Sequence, residues 1–385
     1  MAHIRGVPKE DPSRWEVRYD VRDEYGRRRQ RTKTFRREGD AKKFRRKVEH
    51  EADLGTLRDP MLGRVTFGAL VERWQQSQAW AGLKPSTAAR YATVLRVHVL
   101  PRWEKVQLSR ITRADADAWV VELSRGRRSP ATVGKVYGVW RQALNHAVYL
   151  GWLPVNPAAG VPMPRVRERE QLYLSPEEVW TLAGAVPPRY RAMILTAAFA
   201  GLRFGELAGL RRRNVNLLAG RLTVAESLSQ VDRRAAEWTT PKNGKARTVD
   251  LPAFLREELT RHWERYTEGG TGPDGVVFTG ARGALLDRHN FTRRDFRPAV
   301  RRALSAEKHR LRFHDLRHTC AAILIELGTH PKLIADTLGH SSIQITMDRY
   351  GHLLERPRAE MLARLDARML EVERRCGAEA AAPAN

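Results

Sequence analysis

Arg203, Lys242, His314, Arg317, His340 and Tyr350 lie in that order through the second half of this 385-residue chain. Together they carry the groups needed to cleave a phosphodiester. A phenol can attack phosphorus once its proton has somewhere to go. Two guanidiniums offer planar donor pairs to non-bridging oxygens, where charge builds as the reaction proceeds. Imidazoles and an amine can donate hydrogen bonds or move protons. Each residue also has an ordinary structural use. Arg203 follows an apolar stretch, 191–200, that ends at Gly201, so it could cap a helix. Lys242 precedes Asn243-Gly244 and could be a turn lysine; Lys245 is close by. Tyr350 could be a half-buried aromatic. Glu206 stands three residues after Arg203, within reach as its orienting carboxylate. His314 and Arg317, three apart, share a helix face. The His314/His318 spacing of four also suits a metal pair, but no glutamate follows His314 and no pair of cysteines is near.

Elements must hold these groups in place. Residues 175–178, Ser-Pro-Glu-Glu, start a helix with its cap and an acidic first turn. The run 191–200 is a buried helix, and Glu206 begins the next. Residues 220–225 and 235–240 read as strands, and Asn243-Gly244 predicts a hairpin turn into a return strand over 246–251. A helix is expected over 311–327 and another over 329–338, ending at Gly339-His340.

Upstream, 65–160 reads as all helical. Thr66 caps a first helix to about 78. Pro85-Ser86-Thr87 starts a second, which Pro101 stops. Thr112 with Asp115 opens a third, and Ser129-Pro130 a fourth that ends at Gly151. Lys84, Ser86, Thr87 and Arg90 cluster at a helix N-terminus, where backbone N–H groups favour phosphate. Arg127, Arg128 and Lys135 are similarly placed. Residues 156–169, with three prolines, read as an extended, mobile linker. Residues 1–60 form a small basic module. Trp15, Val17 and Tyr19 alternate as in a strand, Tyr25-Gly26 turns, 27–35 is a second strand, and Asp40 caps a helix to about Leu54. Between Arg27 and Lys47 there are twelve basic and two acidic residues. Arg27, Arg28, Arg29, Arg31 and Lys33 on one strand point to phosphate contact.

Composition agrees. Lys and Arg number 69 against 44 Asp and Glu, a formal charge of +25, which favours an anionic polymer as partner. No apolar run nears the ~20 residues of a membrane helix, and the first twelve residues lack a signal-peptide core. Cys320 and Cys376 form no framework. A reduced cytoplasmic, nucleoid-associated protein is expected.

The ordered set Ala200-Gly201-Leu202-Arg203-Phe204-Gly205-Glu206-Leu207, Lys242, His314-Asp315-Leu316-Arg317-His318-Thr319, Leu338-Gly339-His340 and Tyr350-Gly351-His352 resembles the tyrosine recombinase (phage integrase) family. The likeness covers residues 172–354 firmly, the helical module as a core-site-binding domain, and the first 60 residues more loosely as an arm-type DNA-binding domain. It implies a mainly α fold with small β-sheets. Residues 1–60 would be the arm-binding sheet and helix, 65–160 the core-binding domain, 161–171 a linker, and 172–385 a mixed α+β catalytic domain with a C-terminal helix and a disordered tail from Gly377.

It also implies roles. Tyr350 attacks the scissile phosphate to give a 3′-phosphotyrosyl link and a free 5′-hydroxyl. Arg203, Arg317 and His340 donate to the non-bridging oxygens, and His314 donates a hydrogen bond or takes part in proton transfer. Lys242 is the acid for the 5′-oxygen, and Glu206 orients Arg203. No metal or nucleotide cofactor is expected, because protein cations stand where a metal would and the phosphotyrosine keeps the energy of the broken bond. Partners would be double-stranded DNA attachment sites, three further copies of the chain in a synaptic tetramer, and accessory DNA-bending and directionality factors. Integration and excision of a mobile element is the implied task. A type IB topoisomerase or hairpin-forming telomere resolvase, an inert DNA-binding descendant, and a polyanion-binding or membrane-surface protein explained by charge alone are the alternatives. The apolar stripe Met361, Leu362, Leu365, Met369 and Leu370 would pack on its own domain or dock on a neighbour.

Overall fold

A computed structural model of the chain describes residues 2–7, 13–22, 26–55, 57–126, 128–166, 170–232, 235–241, 244–266, 272–354, 362–363 and 365–374. It divides into two compact units, Met1–Glu168 and Arg169–Asn385.

The first unit opens with an antiparallel sheet of β1 (His3–Val7), β2 (Arg14–Arg22) and β3 (Arg28–Phe35), in that order. The strand β1 has no counterpart among the expected elements. Alternation in β2 buries Val17, Tyr19 and Val21 against Ala41 and Val48 of α1 (Glu38–Asp53). The register pairs Val17 with Lys33, Tyr19 with Arg31 and Val21 with Arg29, so those three basic residues share the helix-covered face. Arg31 forks onto the buried Asp59 at 2.8 and 2.5 Å, and the Lys33 ammonium sits 4.5 Å from the centre of the Phe44 ring. Arg28 lies on the open face, 2.5 Å from Asp20. The helix α1 starts earlier than expected. Its cap position is Arg37, without a side-chain bond, and Asp40 lies inside the first turn, favoured there by the helix dipole.

Helices α2 (Phe67–Gln75), α3 (Gln78–Ala81), α4 (Pro85–Val94), α5 (Leu100–Trp103), α6 (Arg113–Arg125) and α7 (Pro130–Tyr149) follow. Thr66, Thr112 with Asp115, and Ser129 cap α2, α6 and α7 through their side chains. Trp74, Trp103, Trp119 and Trp140 fill the core, with Trp103 stacked on Trp140 at 4.8 Å. Pro101 does not stop the helix it was expected to stop. One widened π turn, Leu95–Val99, runs directly into α5, and Pro101 lies just beyond it within the continued helix, which ends at Trp103. The expected mobile linker is anchored over its first residues. The Asn156 amide donates to Arg141 O and Asn145 Oδ1, Tyr137 Oη donates to Ala158 O at 2.9 Å, and Ala158 is fully buried.

The second unit comprises helices α8 (Pro176–Ala185), α9 (Pro188–Phe199), α10 (Phe204–Ala208), strands β4 (Val215–Asn216), β5 (Arg221–Val224), β6 (Ser227–Asp232), β7 (Ala235–Thr239), β8 (Arg247–Asp250), then α11 (Ala253–Tyr266), α12 (Arg288–Phe291), α13 (Arg297–Ala303), α14 (Asp315–Glu326), α15 (Pro331–Leu338) and α16 (Ile343–Tyr350). The apolar α9 is the hub, against which α8, α11 and α14 pack. Ser175 and Glu178 form a reciprocal cap on α8.

One expected pairing is wrong. β7 and β8 do not pair as a hairpin across the expected Asn243-Gly244 turn, of which Asn243 lies outside the described residues: β7 pairs with β6, whereas β8 crosses to β5 in a sheet of order β4-β5-β8. A Gly244 N–H···O bond to Pro241, 2.8 Å, and a φ of 73° at Gly244 make the turn, but it passes between two sheets. Apolar pairs across the strands account for the choice, Leu222 opposite Val249 and Leu228 opposite Trp238. Residues 365–374 are helical, and Leu362, Leu365, Met369 and Leu370 are each at least half exposed. Among the described residues no helix is long and apolar enough to cross a membrane.

Candidate active site

Four elements of the second unit bring Arg203, Glu206, His314, Arg317, His340 and Tyr350 together. Chain geometry at Gly201 begins the site. Its φ of 67° ends α9 in a left-handed turn, and a Cβ there would meet Leu338 and Cys320. The Gly201 carbonyl accepts Arg317 Nη1 at 2.6 Å. Arg203 is then the capping residue of α10, and Glu206 closes a box with it. The Arg203 backbone N–H donates to Oε2 at 2.9 Å and its Nη1 to Oε1 at 2.7 Å.

Glu206 is 1% exposed and holds a second cation that sequence reasoning missed. Arg247, from β8, donates Nη1 to Oε1 at 3.1 Å and Nη2 to Oε2 at 2.7 Å. Burial alone would raise the Glu206 pKa. Arg247 and then Arg203 outweigh it and hold the carboxyl at about 2.

Arg317 projects from the first turn of α14 and is 3% exposed. Its Nη2 is buried without a hydrogen-bond partner among the described residues. Burial and then the Arg203 charge depress its pKa to about 9, so it stays cationic at neutral pH. A buried, unsatisfied guanidinium donor is costly unless an anion completes it.

His314 lies at the start of α14, with its ring 5.1 Å from that of His318. Burial, then His318, then Arg317 push the His314 pKa down to about 4. His340 follows Gly339, whose φ of 64° ends α15. Its Nδ1 shares a 2.8 Å hydrogen bond with Thr346 Oγ1, and burial followed by Arg317 and Arg203 lowers its pKa to about 3. The ring stacks on that of Tyr350 at 6.5 Å and 10°.

Tyr350, the last residue of α16, is 1% exposed rather than half buried. Its hydroxyl shares a 2.7 Å hydrogen bond with His318 Nδ1. Burial lifts the phenol to about 12, against a smaller opposing pull from Arg317 and Arg349. Burial likewise depresses His318 to about 4, so both partners are neutral at pH 7. His318 is the second residue missed. The spacing of four from His314 was its trace, but that spacing was weighed only for metal.

Lys242 and Arg127 lie outside the described residues. Of the other basic residues singled out for DNA, Arg27, Arg28, Arg29 and Lys33 are exposed on the N-terminal sheet and Arg31 is half buried. Lys84 caps α4, whose first turns carry Thr87 and Arg90. Arg128 precedes α7, and Lys135 is exposed upon it.

Residues 172–356 match the phage integrase family. The integrase of Mycobacterium phage D29 is 26% identical over 286 residues, 74% of this chain and 74% of that protein. A putative prophage phiRv2 integrase of Mycobacterium tuberculosis is 26% identical over 347 residues, 88% of each chain. Among solved structures, the Tn1549 transposon integrase (residues 82–397) in complex with a circular intermediate DNA superposes with a TM-score of 0.66 at 18% identity, over 77% of this chain and 99% of that one. A lambda integrase tetramer bound to a Holliday junction gives 0.55 at 19%, over 85% and 93%.

Proposed function

The chain belongs to the phage integrase family of tyrosine recombinases, and from that premise we propose how its residues divide the work. The protein is a site-specific recombinase of the tyrosine type, serving integration of a mobile element. Tyr350 Oη forms a bond to the scissile phosphorus as the bond to the 5′-oxygen breaks. The DNA keeps a 3′-phosphotyrosyl link, and a proton completes the released 5′-hydroxyl. Arg203, Arg317 and His340 donate to the non-bridging oxygens. His314, beside Arg317, donates a hydrogen bond or takes part in proton transfer, and Lys242 supplies the proton for the leaving oxygen. A 5′-hydroxyl from a partner strand then attacks the phosphotyrosine and reseals the chain.

The observation that carries this is Arg317 Nη2, a buried guanidinium donor with no hydrogen-bond partner among the described residues, in the same cluster as the Tyr350 phenol. A phosphate oxygen completes that donor, and a duplex presents it beside the nucleophile. The Arg203–Glu206 bonds fix the second guanidinium.

Other parts take supporting roles. The basic residues Arg27, Arg28, Arg29 and Lys33 contact arm-site phosphates, with Arg31 tying the sheet to Asp59. Lys84, Thr87, Arg90, Arg127, Arg128 and Lys135 bring the helical module onto the core site. The exposed stripe Leu362, Leu365, Met369 and Leu370 docks on a neighbouring copy in a tetramer. DNA-bending and directionality factors assist, and the protein works on DNA in the cytoplasm.

The test incubates wild type and Tyr350→Phe with a duplex library from the locus flanking the gene, in EDTA, and traps denaturant-stable adducts. Wild-type adducts at one short site, with a free 5′-hydroxyl and none for the variant, support the assignment. Adducts over all sequences would favour a topoisomerase. Equal adducts from the variant would remove Tyr350 as nucleophile.

A further inference from the structure

Arg247 has no exposed surface to serve. Its side chain is 8% exposed, yet it stands on a strand, β8, far in sequence from the residues it holds. Three of its nitrogens donate, and they reach two parts of the site's frame. Two grip the two oxygens of Glu206. The third, Nε, donates to Thr337 O at 2.9 Å.

That third bond completes an account of one helix end. The last carbonyls of a helix lack partners within it. At the end of α15, Ala335 O accepts His340 N, Asp336 O accepts Gly339 N, and Thr337 O accepts Arg247 Nε. Gly339 lies so close that a Cβ on it would stand 2.8 Å from Arg247 Cδ. The turn that delivers His340 is therefore built around this guanidinium.

Glu206 is filled in the same way. Its two oxygens take four donors, two from Arg203 and two from Arg247. Without Arg247 the carboxylate keeps only the Arg203 pair and can swing with it. The Thr337 carbonyl is released at the same moment.

We propose that Arg247 is a positioning residue for strand cleavage, setting Arg203, through Glu206, and His340, through the end of α15, in one geometry around the phosphate. It does not touch substrate. The proposal rests on the recombinase reading above. A purely structural ion pair would also be buried, but it would have no reason to fork between Glu206, the carboxylate that holds Arg203, and the turn before His340.

The experiment uses the full chain and single-turnover cleavage of its duplex site, with a normal scissile phosphate or a methylphosphonate there. Replacing a charged non-bridging oxygen by methyl removes the charge that the guanidiniums serve. Arg247→Gln should slow cleavage of the phosphodiester by roughly a hundredfold, as expected for reacting groups misplaced by about 1 Å, with duplex affinity retained. Arg247→Lys keeps a buried cation, and thus the fold, but cannot fork, so it should recover little of the rate. On the methylphosphonate both variants should approach the wild-type rate. Variants that match wild type on the phosphodiester would overturn the proposal. So would equal deficits on both substrates, which would mark a general structural loss. Failure of wild type to form any adduct would instead remove the recombinase reading.

Discussion

Replacing Glu206 by Gln removes one charge from a place where three guanidiniums gather. The wild-type carboxyl has its pKa lowered from 4.5 to about 2. That drop corresponds to about 3 kcal/mol of folding stability at neutral pH. Solvent screening takes little from it, because Glu206 is 1% exposed. The sign follows from the direction: the contribution is complete above the unfolded pKa and is lost as pH falls through the folded one. Glutamine adds a geometric fault. Its amide nitrogen must face either Arg247 Nη2 or Arg203 Nη1, donor against donor. Breaking one side of a buried pair in this way costs about 3–5 kcal/mol. For a unit of roughly 200 residues, about 3 kcal/mol lowers Tm by some 6–12 °C. Thermal unfolding of the full chain near pH 7.5 measures it. The gap between wild type and variant should shrink as pH is lowered below the ordinary carboxyl value of 4.5. A Tm unchanged by the substitution would refute the reasoning, since the carboxylate would then be no keystone for its two arginines.

Two further outcomes follow from the same cluster. His318 is buried and His314 and His340 are partly buried, all three held neutral with pKa values lowered from 6.5 to about 4 for His314 and His318 and about 3 for His340. The unfolded chain binds more protons at these sites between those values and 6.5, so stability should rise with pH across that window and fall on acidification; a Tm flat from pH 6.5 to 4.5 in a pH series would contradict it. Gly201→Ala forces a side chain into a left-handed turn, at about 1–2 kcal/mol, and into contact with Leu338 and Cys320, at about 1–3 kcal/mol. It should lower Tm and, by shifting the carbonyl that holds Arg317 Nη1, slow cleavage further than DNA affinity falls; a variant with wild-type Tm would show the turn to be unstrained.

Caps and apolar spacing were legible because they act over a few residues. Thr66, Thr112 with Asp115, Ser129, and Ser175 with Glu178 each start the helix their spacing predicts. Strand partners were not, because pairing is decided by distant residues. The Gly244 N–H turns back onto Pro241 O, yet β5 rather than β7 pairs with β8. Pro101 misled because a π turn upstream lets a helix continue, and nothing local announces one. Arg247 was hidden for a related reason: its partners are 41 and 90 positions away. A trace existed. In β8, Arg247 alternates onto the face of Val249, which is buried, and a charge on an apolar strand face calls for a buried partner.

The burial of Tyr350 constrains how it would work as the nucleophile proposed above. At a pKa of about 12 only about one phenol in 10⁵ is ionised at neutral pH, too few for a standing phenolate to carry the reaction. An arriving phosphate, itself anionic, disfavours ionisation further. The proton must therefore leave as the bond to phosphorus forms, when the phenol oxygen becomes strongly acidic. His318 is neutral because burial depresses it, and in one tautomer its Nδ1 offers a lone pair 2.7 Å from that oxygen. The same burial keeps Tyr350 from solvent, so in-line attack requires the end of α16 to open toward the duplex. The apolar packing around Tyr350, with Cys320, Ile325 and Leu338, is then what docking must disrupt, and phosphate capture by Arg317 is the interaction available to offset it.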